Sequence, residues 1–268
     1  MTETSAFLND LLHAPAILIR VHASRGSVPR EEGAWMAVLP HSTVGTVGGG
    51  RLEWDAISKA RTLLEQNLHR GYSEVMLFRL GPSLGQCCGG EVQLRFEVVG
   101  TEDIPTLKLQ LLEQRMPVAL FGGGHVGRAL VDVLGRLPFN VLWVDSRDEI
   151  FPANMPANVH CEHSNPVHAA VHGLPAGSRV VVMSFSHAED WDIVAACLQR
   201  QRERADLPYV GLIGSATKWA SFRQRLEQRG FLPQELAHIT CPIGVAGISD
   251  KRPAVIAVAI AAQLLQVL

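Results

Sequence analysis

Val118-Ala-Leu-Phe-Gly-Gly-Gly-His-Val-Gly127 joins a run of apolar residues to a glycine turn, and the residues that follow, Val126 to Leu137, carry the apolar spacing of a helix. The turn fits G-x-G-x-x-G through Gly122, Gly124 and Gly127, with His125 inside it. Asp145 closes the next apolar run, Val141-Leu-Trp-Val-Asp145. It sits at the distance of roughly twenty residues where an acidic side chain meets a ribose hydroxyl. Strand, turn, helix, strand and acid together read as a Rossmann-type unit. The guest is less defined than the fold, because backbone donors at such a turn sense only an anion. NAD(P), a single phosphate or the pyrophosphate of a pterin dinucleotide would all suit it, and Arg147 leaves room for a second phosphate.

Downstream the alternation continues, with strands near Val159, over Arg179 to Met183 and over Tyr209 to Ile213, and helices over Asp190 to Arg204 and Ala216 to Arg229. This predicts an α/β fold with a doubly wound parallel sheet over 117–268. Pro253 to Leu265 is apolar around most of its circumference and reads as a buried packing or dimer helix, which favours a homodimer. Upstream the rhythm differs. Ala16–Val21, Trp35–Leu39, Glu74–Leu80 and the alternating Val92, Leu94, Phe96 and Val98 read as strands, with one helix over Arg51 to Leu68. Residues 1–100 are therefore expected to form a mixed α+β domain, with 101–116 as a connecting helix.

Composition limits the function classes. The 268 residues carry a formal charge of -2, which argues against a nucleic-acid surface. No stretch is long and apolar enough for a membrane span, and the first residues lack the profile of a signal peptide. The expected location is the cytoplasm. Five cysteines, two of them adjacent, make a poor disulfide framework.

The adjacent pair, Cys87 and Cys88, lies in Gly81-Pro-Ser-Leu-Gly-Gln-Cys-Cys-Gly-Gly90. Soft sulfur ligands on a backbone free to bend suit a thiophilic metal or sulfur itself, whereas burial as small hydrophobes explains one cysteine better than two. Gly48, Gly49 and Gly50 precede the helix from Arg51, so they form either an anion seat at a helix start or a simple tight turn. His187, in Ser186-His-Ala-Glu-Asp190, stands at the carboxyl edge of the predicted sheet. There it is a general base or hydrogen-bond donor with Asp190 orienting it, or part of a polar loop with Asp190 as a cap. Ser215, with Lys218 and Arg223, can neutralise an anion at a second strand-turn-helix junction or simply be solvated. The histidines at 160, 163, 168 and 172 match no closed zinc pattern, and a surface explanation is preferred.

Six segments in this order resemble the xanthine dehydrogenase accessory (XdhC/CoxI) family: Ser27-Val-Pro-Arg-Glu-Glu-Gly-Ala-Trp-Met36, Gly45-Thr-Val-Gly-Gly-Gly-Arg-Leu-Glu53, Gly81 to Gly90, Phe121 to Gly127, Gly211-Leu-Ile-Gly-Ser215 and Cys241-Pro-Ile-Gly244. The resemblance implies a molybdenum cofactor (molybdopterin) chaperone. Such a protein holds the cofactor while its terminal sulfido ligand is installed by a cysteine desulfurase, then delivers it to apo xanthine dehydrogenase. It has no turnover of its own. Gly48–Gly50, Gly122, Gly124, His125, Gly127, Asp145, His187 and Ser215 would contact the cofactor, and Cys87 and Cys88 its metal. Relatives often read Thr-His-x-His where this chain has Ser184-Phe-Ser-His187, and a glycine where Asp250 precedes Lys251. An NAD(P)-dependent oxidoreductase and a persulfide-carrying sulfurtransferase are the alternatives.

Overall fold

The computed structural model describes residues 3–80, 90–111 and 115–267. Cys87 and Cys88 lie outside the described residues. The chain divides into two compact units, Met1–Leu112 and Glu113–Leu268.

In the first unit, β1 (Ala16–Arg25), β2 (Trp35–Val38), β3 (Thr43–Gly45), β4 (Ser73–Arg79) and β5 (Glu91–Val99) form one sheet in the order β3-β2-β1-β5-β4. All its pairings are antiparallel. β1 opens on an apolar run, Ala16-Ile-Leu-Ile19, because both of its faces are covered there. Ile17, Ile19 and Val21 pack with Leu52, Ala56, Ala60 and Leu63 of α2 (Gly50–Glu65). Ala16 and Leu18 pack instead with Phe7 and Leu11 of the N-terminal segment, where α1 spans Glu3–Asp10, and with Leu107 and Leu111. Residues 101–111 thus depart from the expected connector. They form a 3-10 turn and the short helix α3 (Ile104–Gln110), and their leucines belong to this unit's core.

The second unit holds six parallel strands: β6 (Met116–Phe121), β7 (Phe139–Asp145), β8 (Val159–His163), β9 (Arg179–Val182), β10 (Tyr209–Leu212) and β11 (Ile239–Thr240). Their order is β11-β10-β9-β6-β7-β8, a doubly wound Rossmann-like arrangement. Alternate residues face opposite layers. Val118 and Leu120 pack with Leu130, Val131 and Leu134 of α4 (His125–Leu134) and with α8 (Pro253–Gln266). Ala119 and Phe121 pack with Ile193, Val194 and Leu198 of α5 (His187–Arg204) and with Phe222 and Leu226 of α6 (Ala216–Gln228). A short α7 (Pro233–Leu236) follows α6. Helix α8 acts as a packing helix: Ala257, Ile260, Ala261 and Leu264 are buried, while Val258 is 53% exposed.

Because α4 and α5 lie on opposite faces, the order reverses between β6 and β9, and a crevice opens at the carboxyl ends of those strands. Arg200, 2% exposed, braces the α5 side. It donates to the Val171 and Leu174 carbonyls (2.7 and 2.8 Å) and twice to Asp206 (2.9 and 2.7 Å). Replacement Arg200→Met should cost about 2–4 kcal/mol, since two buried carbonyls and a carboxylate lose their partner while the apolar stem is kept. Urea unfolding followed by circular dichroism measures it, and a cost under about 0.5 kcal/mol would show that water replaces the guanidinium.

Candidate functional site

The glycine turn after β6 is packed on three sides. Gly122 has φ 120°, and a side chain there would collide with the Met183 carbonyl at the end of β9. A Cβ on Gly127 would collide with the Gly122 carbonyl, which also accepts from Trp143 Nε1 at 2.9 Å. On Gly123 it would meet the side chain of Ile150. Gly124 differs. It is the exposed N-cap of α4, and a Cβ there meets nothing within 4 Å. Beyond it the amides of His125, Val126 and Gly127 belong to the first turn of α4, which leaves its N–H groups without intrahelical acceptors. His125 is exposed.

Asp145 ends β7, 2% exposed, directly beneath this turn. Its Oδ2 accepts from Gly123 N at 2.6 Å and Arg147 Nη2 at 2.9 Å; its Oδ1 accepts from Arg147 N at 2.9 Å and Arg147 Nε at 2.8 Å. A carboxylate has about four lone-pair sites, and these four donors take them. Burial alone would raise the Asp145 pKa. The Arg147 guanidinium and the two backbone amides outweigh it and hold the carboxyl below the usual range. The role expected for Asp145, acceptor of a ribose hydroxyl, is thus taken by the chain's own donors. Arg147 in turn lies against the ring of Phe185, with Cζ 4.6 Å from the centroid.

On the α5 side, Ser186 caps the helix by accepting from Glu189 N at 3.2 Å. His187 is exposed, its ring edge-on to Phe222 at 6.5 Å. Asp190 does not orient it. The buried Asp190 carboxylate accepts from Ser184 N (2.7 Å), Ser184 Oγ (2.8 Å) and Lys218 Nζ (2.6 Å), and Lys218 also donates to the Ile213 carbonyl at 2.8 Å. Lys218, expected to be solvated or to meet an anion, is instead a nearly buried internal counterion. Ser215 caps α6, accepting from Lys218 N at 3.2 Å. The Asp190–Lys218 pair carries no periodic signal in the sequence; an acid at a helix start beside a lysine of the next helix is the one trace of it.

In the first unit the second glycine turn is closed. Gly48, Gly49 and Gly50 have φ of 130°, 72° and 61°, and a side chain on Gly48 would collide with Pro29. Glu53 Oε2 accepts from Val47 N at 3.2 Å, Gly49 N at 3.1 Å and the Thr46 hydroxyl. The anion expected at Gly48–Gly50 is therefore supplied by Glu53, one helical turn into α2. Gly90 sits at the start of β5, where a Cβ would come within 2.5 Å of the Ser27 carbonyl and 2.6 Å of that of Arg25. Leu80 N donates to the Gly90 carbonyl at 2.8 Å, which ties the end of β4 to the start of β5. Segment 27–30 thus touches the Gly48 turn on one side and Gly90 on the other. Three stretches far apart in the chain meet at one end of this sheet.

Comparisons with known proteins agree with both units. Residues 118–264 match the family described as the XdhC Rossmann domain, and residues 12–75 match the XdhC and CoxI family. YqeB of Escherichia coli strain K12, an uncharacterised protein, is 25% identical over 256 residues; the match takes in 95% of this chain and 44% of YqeB, so the chain spans less than half of that relative's length. A crystal structure from Bacillus halodurans, described as a xanthine dehydrogenase, superposes with a TM-score of 0.79 at 19% identity, covering 100% of this chain and 96% of that one. At that identity the likeness is one of fold.

A closed position and the open one are separable by mutation. Gly127→Ala should destabilise by about 1–3 kcal/mol through overpacking, and Gly124→Ala by about 1 kcal/mol or less, read as urea midpoints at constant slope. Asp145 adds a pH signature. Its depressed pKa means that the stability it contributes is complete above the ordinary carboxylate range and lost as pH falls through the depressed value. Asp145→Asn should be weaker than wild type at neutral pH and converge with it in acid. Parallel curves at all pH values would show that the charge of Asp145 contributes nothing.

Proposed function

Since the chain belongs to the XdhC and CoxI family, we propose that it is a maturation factor for xanthine dehydrogenase, which carries the molybdenum cofactor as cargo rather than turning over a substrate. In this reading the second unit holds the cargo and the first handles sulfur. The cargo is kept while a cysteine desulfurase supplies its terminal sulfido ligand, and is then passed to the apo enzyme. The observation that carries the reading is the state of Asp145. An oxidoreductase using NAD(P) in the ribose-diol mode needs a carboxylate with accepting capacity at the end of β7, and the capacity of Asp145 is used by Arg147 and Gly123. A base for hydride chemistry is also not supplied by Asp190, which is neutralised by Lys218. The phosphate end of a molybdopterin needs none of this. It needs open amides, and the first turn of α4 beside Gly124 offers them.

The sulfur part rests on the first unit. In sequence Cys87 and Cys88 fall between Leu80 and Gly90, which are hydrogen-bonded to each other, with Gly90 against Ser27. Soft thiolates suit a molybdenum centre or a transferable sulfur. The other cysteines suit this less well: the Cys197 thiol is fully buried, with its pKa pushed up to about 12, and those of Cys161 and Cys241 are also raised by burial.

Equilibrium ultrafiltration with cofactor released from a molybdoenzyme should retain about one cofactor per chain, because the motifs make one glycine turn open to an anion rather than two. Gly124→Val should weaken retention about tenfold, the loss of one charge-assisted hydrogen bond of about 1.5 kcal/mol. Alkylation mapped by mass spectrometry, with and without cofactor, should show protection at Cys87 or Cys88 and none at Cys161. Retention no better than that of an unrelated protein would end the cargo reading.

A further inference from the structure

Of the large apolar side chains exposed among the described residues of the second unit, one is aromatic: Phe185, at 67%. It stands just past β9, on the loop facing the glycine turn across the reversal of strand order, where open α/β sheets take ligands. The ring is held there by a chain of contacts. Gly123 N fixes the Asp145 carboxylate, which fixes the Arg147 guanidinium through Nε and Nη2. The guanidinium lies 4.6 Å from the ring centroid. Arg147 therefore cannot swing away without giving up a two-point ion pair in a buried setting. With the guanidinium on one side and two-thirds of its surface in water, the ring keeps a flat surface for another partner.

The first unit contains a contact that looks alike but is built differently. Arg51 lies 4.6 Å over the exposed ring of Trp54, with both on one face of α2 and Arg51 paired to Asp55 one turn along. That contact is an i, i+3 pair on a helix surface, of the kind helices make for their own support. The Phe185 contact instead draws together the ends of β6, β7 and β9.

We propose that Arg147 and Phe185 form a stacking platform for the fused nitrogen heterocycle of the cargo, its pterin. This rests on the cargo reading and names the part of the cargo that the second unit grips. Planar heterocycles stack on aromatic and guanidinium faces without needing a particular hydrogen-bond pattern. Phe185 acts as the contact surface and Asp145 as a positioning residue behind it.

Neopterin, fluorescent and free of phosphate, isolates the heterocycle. Titrated with the full chain, its fluorescence should be quenched, and Phe185→Leu should raise the dissociation constant between about 5-fold and 150-fold, the range set by loss of one stacked base. Phe185→Trp should bind at least as tightly as wild type. Because the ring is exposed, both variants should melt with the wild type. AMP added as competitor asks whether a nucleotide takes the same surface. Displacement of neopterin by AMP at comparable concentration would overturn the assignment to pterin. If wild type and Phe185→Leu bind neopterin and retain cofactor equally, the platform is wrong and the cargo reading stands. If wild type fails to retain cofactor while neopterin binding still depends on Phe185, the cargo reading fails and the platform stands.

Discussion

A buried carboxylate surrounded by N–H groups organises the carboxyl edge of the second unit. Taking Asp145 out of water costs several kcal/mol unless hydrogen bonds replace the lost hydration, and the replacement comes from Gly123 and Arg147. One consequence is mechanical. The glycine turn is tied to the end of β7 by Asp145 and to the middle of that strand by Trp143, whose indole donates to the Gly122 carbonyl. A second is chemical, because donors spent on an internal anion are withdrawn from an external one. The motif thus keeps the shape of a dinucleotide-binding turn while its acidic residue has become internal scaffolding.

The first unit follows the same logic further. Glu53 sits where an anion would sit at the start of α2, and Pro29 fills the space that Gly48 leaves by lacking a side chain. Two glycine-rich helix starts therefore diverge. The one at α2 is filled from within and serves to seat segment 27–30, which in turn packs on Gly90. The one at α4 keeps an exposed, unobstructed Gly124. Similar glycine spacing has yielded a packing device in one unit and an open amide end in the other, and the difference lies in where the nearest acid falls: four residues into the helix for Glu53, at the end of the neighbouring strand for Asp145.

Much of this was legible in the chain, and what was hidden was hidden for physical reasons. Four of the six parallel strands, β6, β7, β9 and β10, could be read because strands covered on both faces are mostly apolar and helices recur between them, and β8 was marked by Val159. Short elements escaped. β3 and β11 are three and two residues long, and α1 has the single buried residue Phe7, so none of these makes a period. The placement of residues 101–111 escaped because Leu107 and Leu111 look alike whether they cover a sheet or bridge two domains. The candidate site divides along the same line. Gly122, Gly124, Gly127 and Asp145 were visible from local spacing. The pairing of Asp190 with Lys218 was not, since it joins residues 28 apart on different helices. Phe185 showed only as a departure from the family pattern, and its meaning came from Arg147, a residue on another strand's loop.

The electrostatics of this edge suit a carrier. Asp145 is balanced by Arg147 and Asp190 by Lys218, so the strongest charges near the crevice are already paired. An anionic guest then meets backbone dipoles at the start of α4, worth about 0.3–1 kcal/mol each at an exposed helix end, instead of unpaired cations in a closed pocket. Shape and stacking can add selectivity to such a seat without adding the tens of kcal/mol of gross attraction that bare buried charges would bring. Were Arg147 freed from Asp145, its guanidinium would be available to clamp a phosphate in two-point fashion. The carboxylate that spoils the ribose site therefore also keeps the arginine from gripping too hard, and a carrier of the kind proposed would be better served by that restraint than by affinity.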